Sequence, residues 1–228
     1  MPPSSKSPFR LVVEGTDDKN TIIHLLARHG LDWDAQRGLP HVAQTDGIHQ
    51  LLEQITVLVR SYPRVGLVLD ADESPLDRWH QVRDRLRSAG ATVPNDLDPS
   101  GLIIDGTRPD TRIGVWLMPD NQTQGTLENF VAWLVPDGDP CWEHADSSTL
   151  EARRLGAPCK ERDHLKSRLH AWLAWQEAPG NPFGTALKAR TFRHDGDVAH
   201  RFVAWFHRLF GTGAPPNAFQ RLLEDETP

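Results

Sequence analysis

Two cysteines, two methionines and a single tyrosine are spread over 228 residues, and each scarcity closes off a class of protein. Cys141 and Cys159 are too few for a disulfide framework and lack the C-x-x-C pairing of a structural zinc site. Two free thiols in a reducing compartment are therefore expected, with a single bridge between them as the alternative. No apolar run approaches the length of a membrane span, and the opening MPPSSKSP lacks the apolar centre of a signal peptide, so a cytoplasmic chain is predicted. The chain has no GxxxxGK[ST] phosphate loop, no HExxH, no GxSxG elbow and no GxGxxG fingerprint. Its eleven histidines are scattered, none beside a cysteine at ligand spacing. Nor is there an excess of positive charge: Lys+Arg 25 against Asp+Glu 31 leaves a net −6. That balance argues against a large basic surface gripping nucleic acid by phosphate contacts alone. It leaves room for a local groove, or for acidic residues neutralised by bound cations.

What is present reads as a globular chain of strands and helices, 38% hydrophobic and 25% charged. Residues 1–8 are rich in Pro and Ser and are expected to be disordered. FRLVVEG predicts a short buried strand over residues 10–14, and Thr16-Asp-Asp-Lys supplies turn and capping chemistry. Ile22, Ile23, Leu25 and Leu26 then give a helix over residues 20–29, stopped at Gly30. A second strand is expected at residues 41–44, followed by a helix capped by Asp46 and broken at Tyr62-Pro63. VGLVLD forms a third, fully buried strand, and Ser74-Pro75 opens another helix with proline at its favoured first position. This alternation is the signature of a parallel sheet with crossover helices. Residues 101–105 and 113–118, separated by the turn-forming GTRPDT, predict an appended hairpin. A helix is expected over 126–135, and residues 136–162 read as loop-rich with one short helix. Two stripes, Leu165, Leu169, Trp172 and Leu173, then Val198, Phe202, Trp205, Phe206 and Leu209, mark buried helix faces. The predicted organisation is thus an α/β domain over 9–135, a helical C-terminal part over 136–211 packed on it, and a tail from 212 in which Phe219, Leu222 and Leu223 make a docked turn.

The stretch VGLVLDADE carries the most chemistry. A D-x-D spacing alone is weak, since it also occurs at Asp32/Asp34, Asp96/Asp98, Asp137/Asp139 and Asp195/Asp197, where turns and caps explain it. Asp70 and Asp72 differ because they leave a buried strand, where residues i and i+2 point the same way. Two carboxylates so placed repel unless a cation lies between them, and hard oxygen ligands suit Mg²⁺ or Mn²⁺. Glu14 stands at the carboxyl end of the first strand, where ligands of open α/β sheets bind; if the two strands are neighbours, all three acids meet in one crevice. Glu128 in QGTLENF is either a first-turn acid facing the helix dipole or a further ligand. Asp120 is similarly a cap or a ligand. Lys166, Lys188 and Arg190 are cations that can counter phosphate charge near a metal, or simply solvated side chains.

A strand ending in LVVEG followed by one ending in LVLDAD resembles the Toprim domain of topoisomerases, primases and OLD-type (overcoming lysogenisation defect) nucleases. Across VEGTDDK, VLDADE, GVWLMPDNQTQGTLENF and HAWLAWQEAPG the chain is similar to a bacterial Toprim-like family of unknown function. The resemblance implies that Glu14 is a metal ligand or general acid/base and that Asp70 and Asp72 hold Mg²⁺. It further implies Glu128 as an additional acid and Lys188 or Arg190 as the basic residue that OLD-type sites use. The expected activity is metal-dependent cleavage of DNA or RNA. A role in bacterial anti-phage defence beside a separate P-loop ATPase is implied by the resemblance alone, because the chain has no ATPase motif. The lone Tyr62 precedes the third strand, which disfavours topoisomerase-like strand passage. The rival expectation is a non-catalytic Toprim scaffold that binds or regulates a protein partner.

Overall fold

The computed structural model describes residues 7–212. Most of the segment expected to be disordered, and the tail beyond Thr212 with its turn at Phe219, Leu222 and Leu223, lie outside the described residues. Five strands, β1 (Phe9–Val13), β2 (His41–Gln44), β3 (Arg64–Asp70), β4 (Leu102–Asp105) and β5 (Arg112–Met118), form one sheet in the order β2-β1-β3-β5-β4. Neighbours run parallel except at the edge, where β4 lies antiparallel to β5. The expected hairpin is therefore present, and its second strand continues the parallel array.

Both faces of the sheet are covered, which is why its central strands are apolar throughout. Leu11, Val13, Val68, Trp116 and Met118 point into one core layer, while Val12, Leu67, Leu69, Val115 and Leu117 point into the other. The second layer is closed by α2 (Ile48–Ser61) and α3 (Pro75–Ser88). The first is closed by α1 (Thr16–Arg28), α4 (Leu127–Ala132), α6 (His164–Ala174), α7 (Phe183–Lys188) and α8 (Asp197–Phe210). The aromatic C-terminal helices thus share a core with the strands. Helix α8 reaches the sheet because Gly66 and Gly114, paired in register on β3 and β5, leave a trough for it. A Cβ on Gly114 would fall 2.5 Å from Leu209 Cδ2 and 3.0 Å from Trp205 Cζ2.

Three local expectations are corrected. Helix α1 begins at Thr16, so Thr16-Asp-Asp-Lys is its first turn and not a turn before it; acids there favour the helix dipole. Asp46 does not cap α2, whose N-cap is Gly47 with no side-chain cap. Residues 140–154, expected to be mostly loop, form the long helix α5 (Pro140–Arg154). It starts strongly, with Pro140 in the first turn and the Asp139 carboxylate accepting the Cys141 N–H at 2.8 Å. Only Ala145 and Thr149 are buried along it, so it carries no apolar stripe to read.

Candidate metal centre

Strand order reverses between β1 and β3: the chain moves outward from β1 to β2, then returns across β1 to β3. The crevice at the carboxyl ends of such a strand pair is where ligands of open α/β sheets bind. Glu14 follows the last residue of β1, and its Oε1 accepts the Asp70 N–H at 2.8 Å. Asp70 is the last residue of β3, and its Oδ1 accepts the Leu127 N–H at 2.9 Å in the first turn of α4. One strand end thereby ties the first acid to the segment that carries Glu128.

Asp72 sits in the left-handed region at φ 52° and exchanges two backbone hydrogen bonds with Gly125, both 2.8 Å. Gly125 has φ 143°, and a Cβ there would lie 2.6 Å from Asn129 Oδ1, so this junction requires glycine. Arg78, buried in the first turns of α3, donates Nε to the Asp70 carbonyl at 2.9 Å and Nη2 to the Asp72 carboxylate. Glu128 accepts the Thr126 hydroxyl at 2.8 Å and pairs with Lys166 of α6 at 2.9 Å. A fifth acid, Asp18, enters from the first turn of α1 and is 9% exposed.

These carboxylates sense one another. Burial pushes Asp70 up to about 9, and repulsion from Asp18, Glu14, Glu128 and Asp72 adds to it. Asp18 is pushed up to about 7, by burial first and then by Glu14 and Glu128. Glu14 is raised by burial, against which the Asp70 N–H and the Arg78 charge act. For Glu128 burial acts upward as well, but the Lys166 ammonium and the Thr126 hydroxyl together hold it below the usual carboxylate range. A crowd of acids that suppresses its own ionisation is a donor set suited to a hard divalent cation, since only hard oxygen ligands are offered. By donor chemistry alone, such carboxylates are the ligand type that Mg²⁺ or Mn²⁺ takes. In their observed rotamers they are engaged with protein donors, and among the described residues no three acidic, imidazole or thiol groups converge at ligand distances.

Glu14, Asp70, Asp72 and Glu128 are thus brought to one crevice. Lys188 and Arg190 are placed elsewhere: Lys188 acts on His24 and Arg190 on Arg28, about 9 and 15 Å further along α1 than Asp18. The cations that touch the acids are Lys166 and Arg78. Asp120 closes a turn, its Oδ1 accepting from Gln122 N, Thr123 N and the Thr123 hydroxyl, and its Oδ2 lies 3.9 Å from the Arg201 guanidinium. Other D-x-D copies serve turns or caps in the same way, Asp32 toward Asp34 and Ala35, Asp98 toward Ser100, and Asp139 toward Cys141. Asp18 has a signal in its spacing, four residues after Glu14, which brings an acid on the first helical turn back toward the strand end. Lys166 is one of the three cations singled out from the sequence, whereas Arg78 has no signal, being one of four arginines on α3.

Among the described residues no helix is long and apolar enough to cross a membrane. No curated protein and no solved structure matches the chain. A family model does match, over residues 8–211, and on that span the chain belongs to the family described as "Protein of unknown function (DUF3226)".

Proposed function

We propose that the crevice is the site of a Toprim-type, divalent-cation-dependent nuclease that hydrolyses phosphodiester bonds in DNA or RNA. The observation that carries this reading is Asp70: it ends a buried strand at the switch point, and burial, with four further acids around it, raises its pKa to about 9. Glu14, Asp70 and Asp72, with Asp18 and Glu128, would hold Mg²⁺ or Mn²⁺. When bound, such an ion supplies an activated water, an oriented phosphodiester and charge to neutralise the leaving oxygen. The chain's own part is positioning and charge. Glu14, whose pKa is raised by burial, is suited to hold or release a proton at its free oxygen. The Lys166 ammonium, half exposed at the rim, offers a donor to a phosphate oxygen. The first turn of α1 has no side-chain cap, so its N–H groups add positive potential beside the same crevice. A nucleic acid substrate neutralised in this way also accounts for an acidic protein acting on a polyanion. Work beside a separate P-loop ATPase, in defence against phage, belongs to the same proposal and rests on the Toprim likeness.

A second reading has one observation in its favour. Each acid is already engaged, Asp72 by Arg78, Glu128 by Lys166, Glu14 and Asp70 by backbone N–H groups, as in a scaffold that binds a partner without cleaving anything. A cleavage assay separates the two: plasmid DNA and tRNA with Mg²⁺ or Mn²⁺, with and without a separate P-loop ATPase. Cleavage is expected to stop with EDTA and to fall by orders of magnitude in Glu14→Ala and Asp70→Ala. Cleavage that persists unchanged in both variants removes the nuclease assignment.

A further inference from the structure

We infer that Arg78 is the positioning residue of this carboxylate site, setting where Asp72 presents its free oxygen. The inference rests on the reading of the crevice as a divalent-cation site. Its basis is geometric. The Arg78 side chain is 10% exposed and uses three donors on three partners: Nε on the Asp70 carbonyl at 2.9 Å, Nη1 on Gln81 Oε1 at 3.0 Å, and Nη2 on the Asp72 carboxylate. One planar fork thus fixes the distance between the end of β3 and the acid two residues on, which a point charge cannot do.

Its location argues that the contact serves the site and not the helix. Arg78 lies in the first turns of α3, near the positive end of the helix dipole, where a cation is disfavoured. Burying a guanidinium there is tolerable only because all three partners are made. The backbone of Asp72 stands at φ 52°, a conformation costly for a non-glycine residue, and it is held from both sides, by Gly125 through the main chain and by Arg78 through the side chain. Only one carboxylate oxygen of Asp72 is bonded to Arg78, and the side chain remains 52% exposed.

A cation beside a cation site makes opposite predictions for its two possible roles. If Arg78 merely neutralises charge, removing it relieves repulsion and divalent ions bind more tightly. If it positions Asp72, removing it weakens binding, by about tenfold as is usual for groups that orient a metal ligand. The experiment is calorimetric titration of Mn²⁺ into the full-length chain, for wild type, Arg78→Gln, Arg78→Lys, Asp72→Ala and the double variant Arg78→Gln/Asp72→Ala, with circular dichroism to verify folding. The expected result is about tenfold weaker binding in Arg78→Gln, a loss of about threefold or more in Arg78→Lys, and a double variant no worse than Asp72→Ala alone. Binding equal to or tighter than wild type in either folded Arg78 variant overturns the inference. If Arg78→Gln does not fold, the charge-conserving lysine decides by the same criterion. Absence of Mn²⁺ binding in wild type overturns the cation-site reading itself, and this inference with it; that outcome differs from wild-type binding that Arg78 does not affect.

Discussion

Asp70→Asn is expected to stabilise the protein in EDTA and to remove most of its response to Mg²⁺. The asparagine keeps Oδ1 as acceptor for the Leu127 N–H, so the change is one of charge more than of shape. In the folded chain the Asp70 carboxyl is pushed up to about 9 by burial and by four neighbouring acids, against 3.8 for the ordinary group. The folded state therefore binds a proton that the unfolded state releases. That contribution to stability is fully present below the unfolded pKa and is lost as pH rises through the window from 3.8 toward about 9. One pKa unit corresponds to about 1.4 kcal/mol. The repulsion is shared among several acids, so a single neutralisation recovers a part of it, about 1–3 kcal/mol at pH 8. For a chain of this size that is a rise in Tm of about 2–12 °C. Wild type should instead gain from the ion: at a Mg²⁺ concentration ten times Kd the stabilisation is about 1.4 kcal/mol, or about 3–6 °C. The assay is thermal unfolding of both proteins from pH 5.5 to 8.5, in EDTA and in Mg²⁺. An Asn variant that melts below wild type in EDTA, or that keeps the full Mg²⁺ increment, would refute the reasoning.

Two further perturbations test the frame that carries the site. Gly114→Ala places a methyl group 2.5 Å from Leu209 and 3.0 Å from Trp205, so it should destabilise by about 1–3 kcal/mol in chemical denaturation; a loss under about 0.5 kcal/mol would mean that α8 does not sit in the trough. Asp139→Ala removes both the cap of α5 and the acceptor for the indole N–H of fully buried Trp172, at 3.0 Å, and should cost about 1–3 kcal/mol. An Asp139→Ala variant as stable as wild type would remove this carboxylate as the link between α5 and α6.

The parallel core is legible because its strands are buried on both faces, which leaves uninterrupted apolar runs bounded by Gly, Pro and acids: LVVEG, VGLVLD and GVWLM. Crossover helices α2 and α3 are equally plain, since α2 repeats Leu51, Ile55 and Val59 on one face and α3 opens on Ser74-Pro75. What fails to register is structure held by few buried residues. Helix α5 buries only Ala145 and Thr149, and Pro, Gly and Asp before it resemble a loop until the proline is seen to occupy the first turn. The trough for α8 is hidden for another reason: a glycine inside a strand reads as a weak point, and only the register that sets Gly66 opposite Gly114 turns two of them into a contact surface.

The acids of the site divide along the same physical line. Glu14, Asp70 and Asp72 can be picked out because they end buried strands, and the end of a strand points in a known direction. Asp18, Glu128, Arg78 and Lys166 all belong to helices, three of them to first turns, where a charged residue has an ordinary explanation as a dipole partner, a cap or a solvated side chain. Only the packing of α1, α3, α4 and α6 around one pair of strand ends converts those ordinary positions into a cluster. The candidate cations divide in the same way: Lys188 and Arg190 are the later two in sequence, but α7 lies along α1, and they act on His24 and Arg28 toward its far end. Lys166, earlier in sequence and on a helix packed against α4, reaches Glu128. If the crevice is a phosphodiesterase site, the cation that meets the phosphate is therefore the one nearest Glu128, and Lys166→Ala should reduce cleavage while Lys188→Ala and Arg190→Ala leave it unchanged. Equal losses in all three would return the assignment to a diffuse positive potential rather than a placed ammonium.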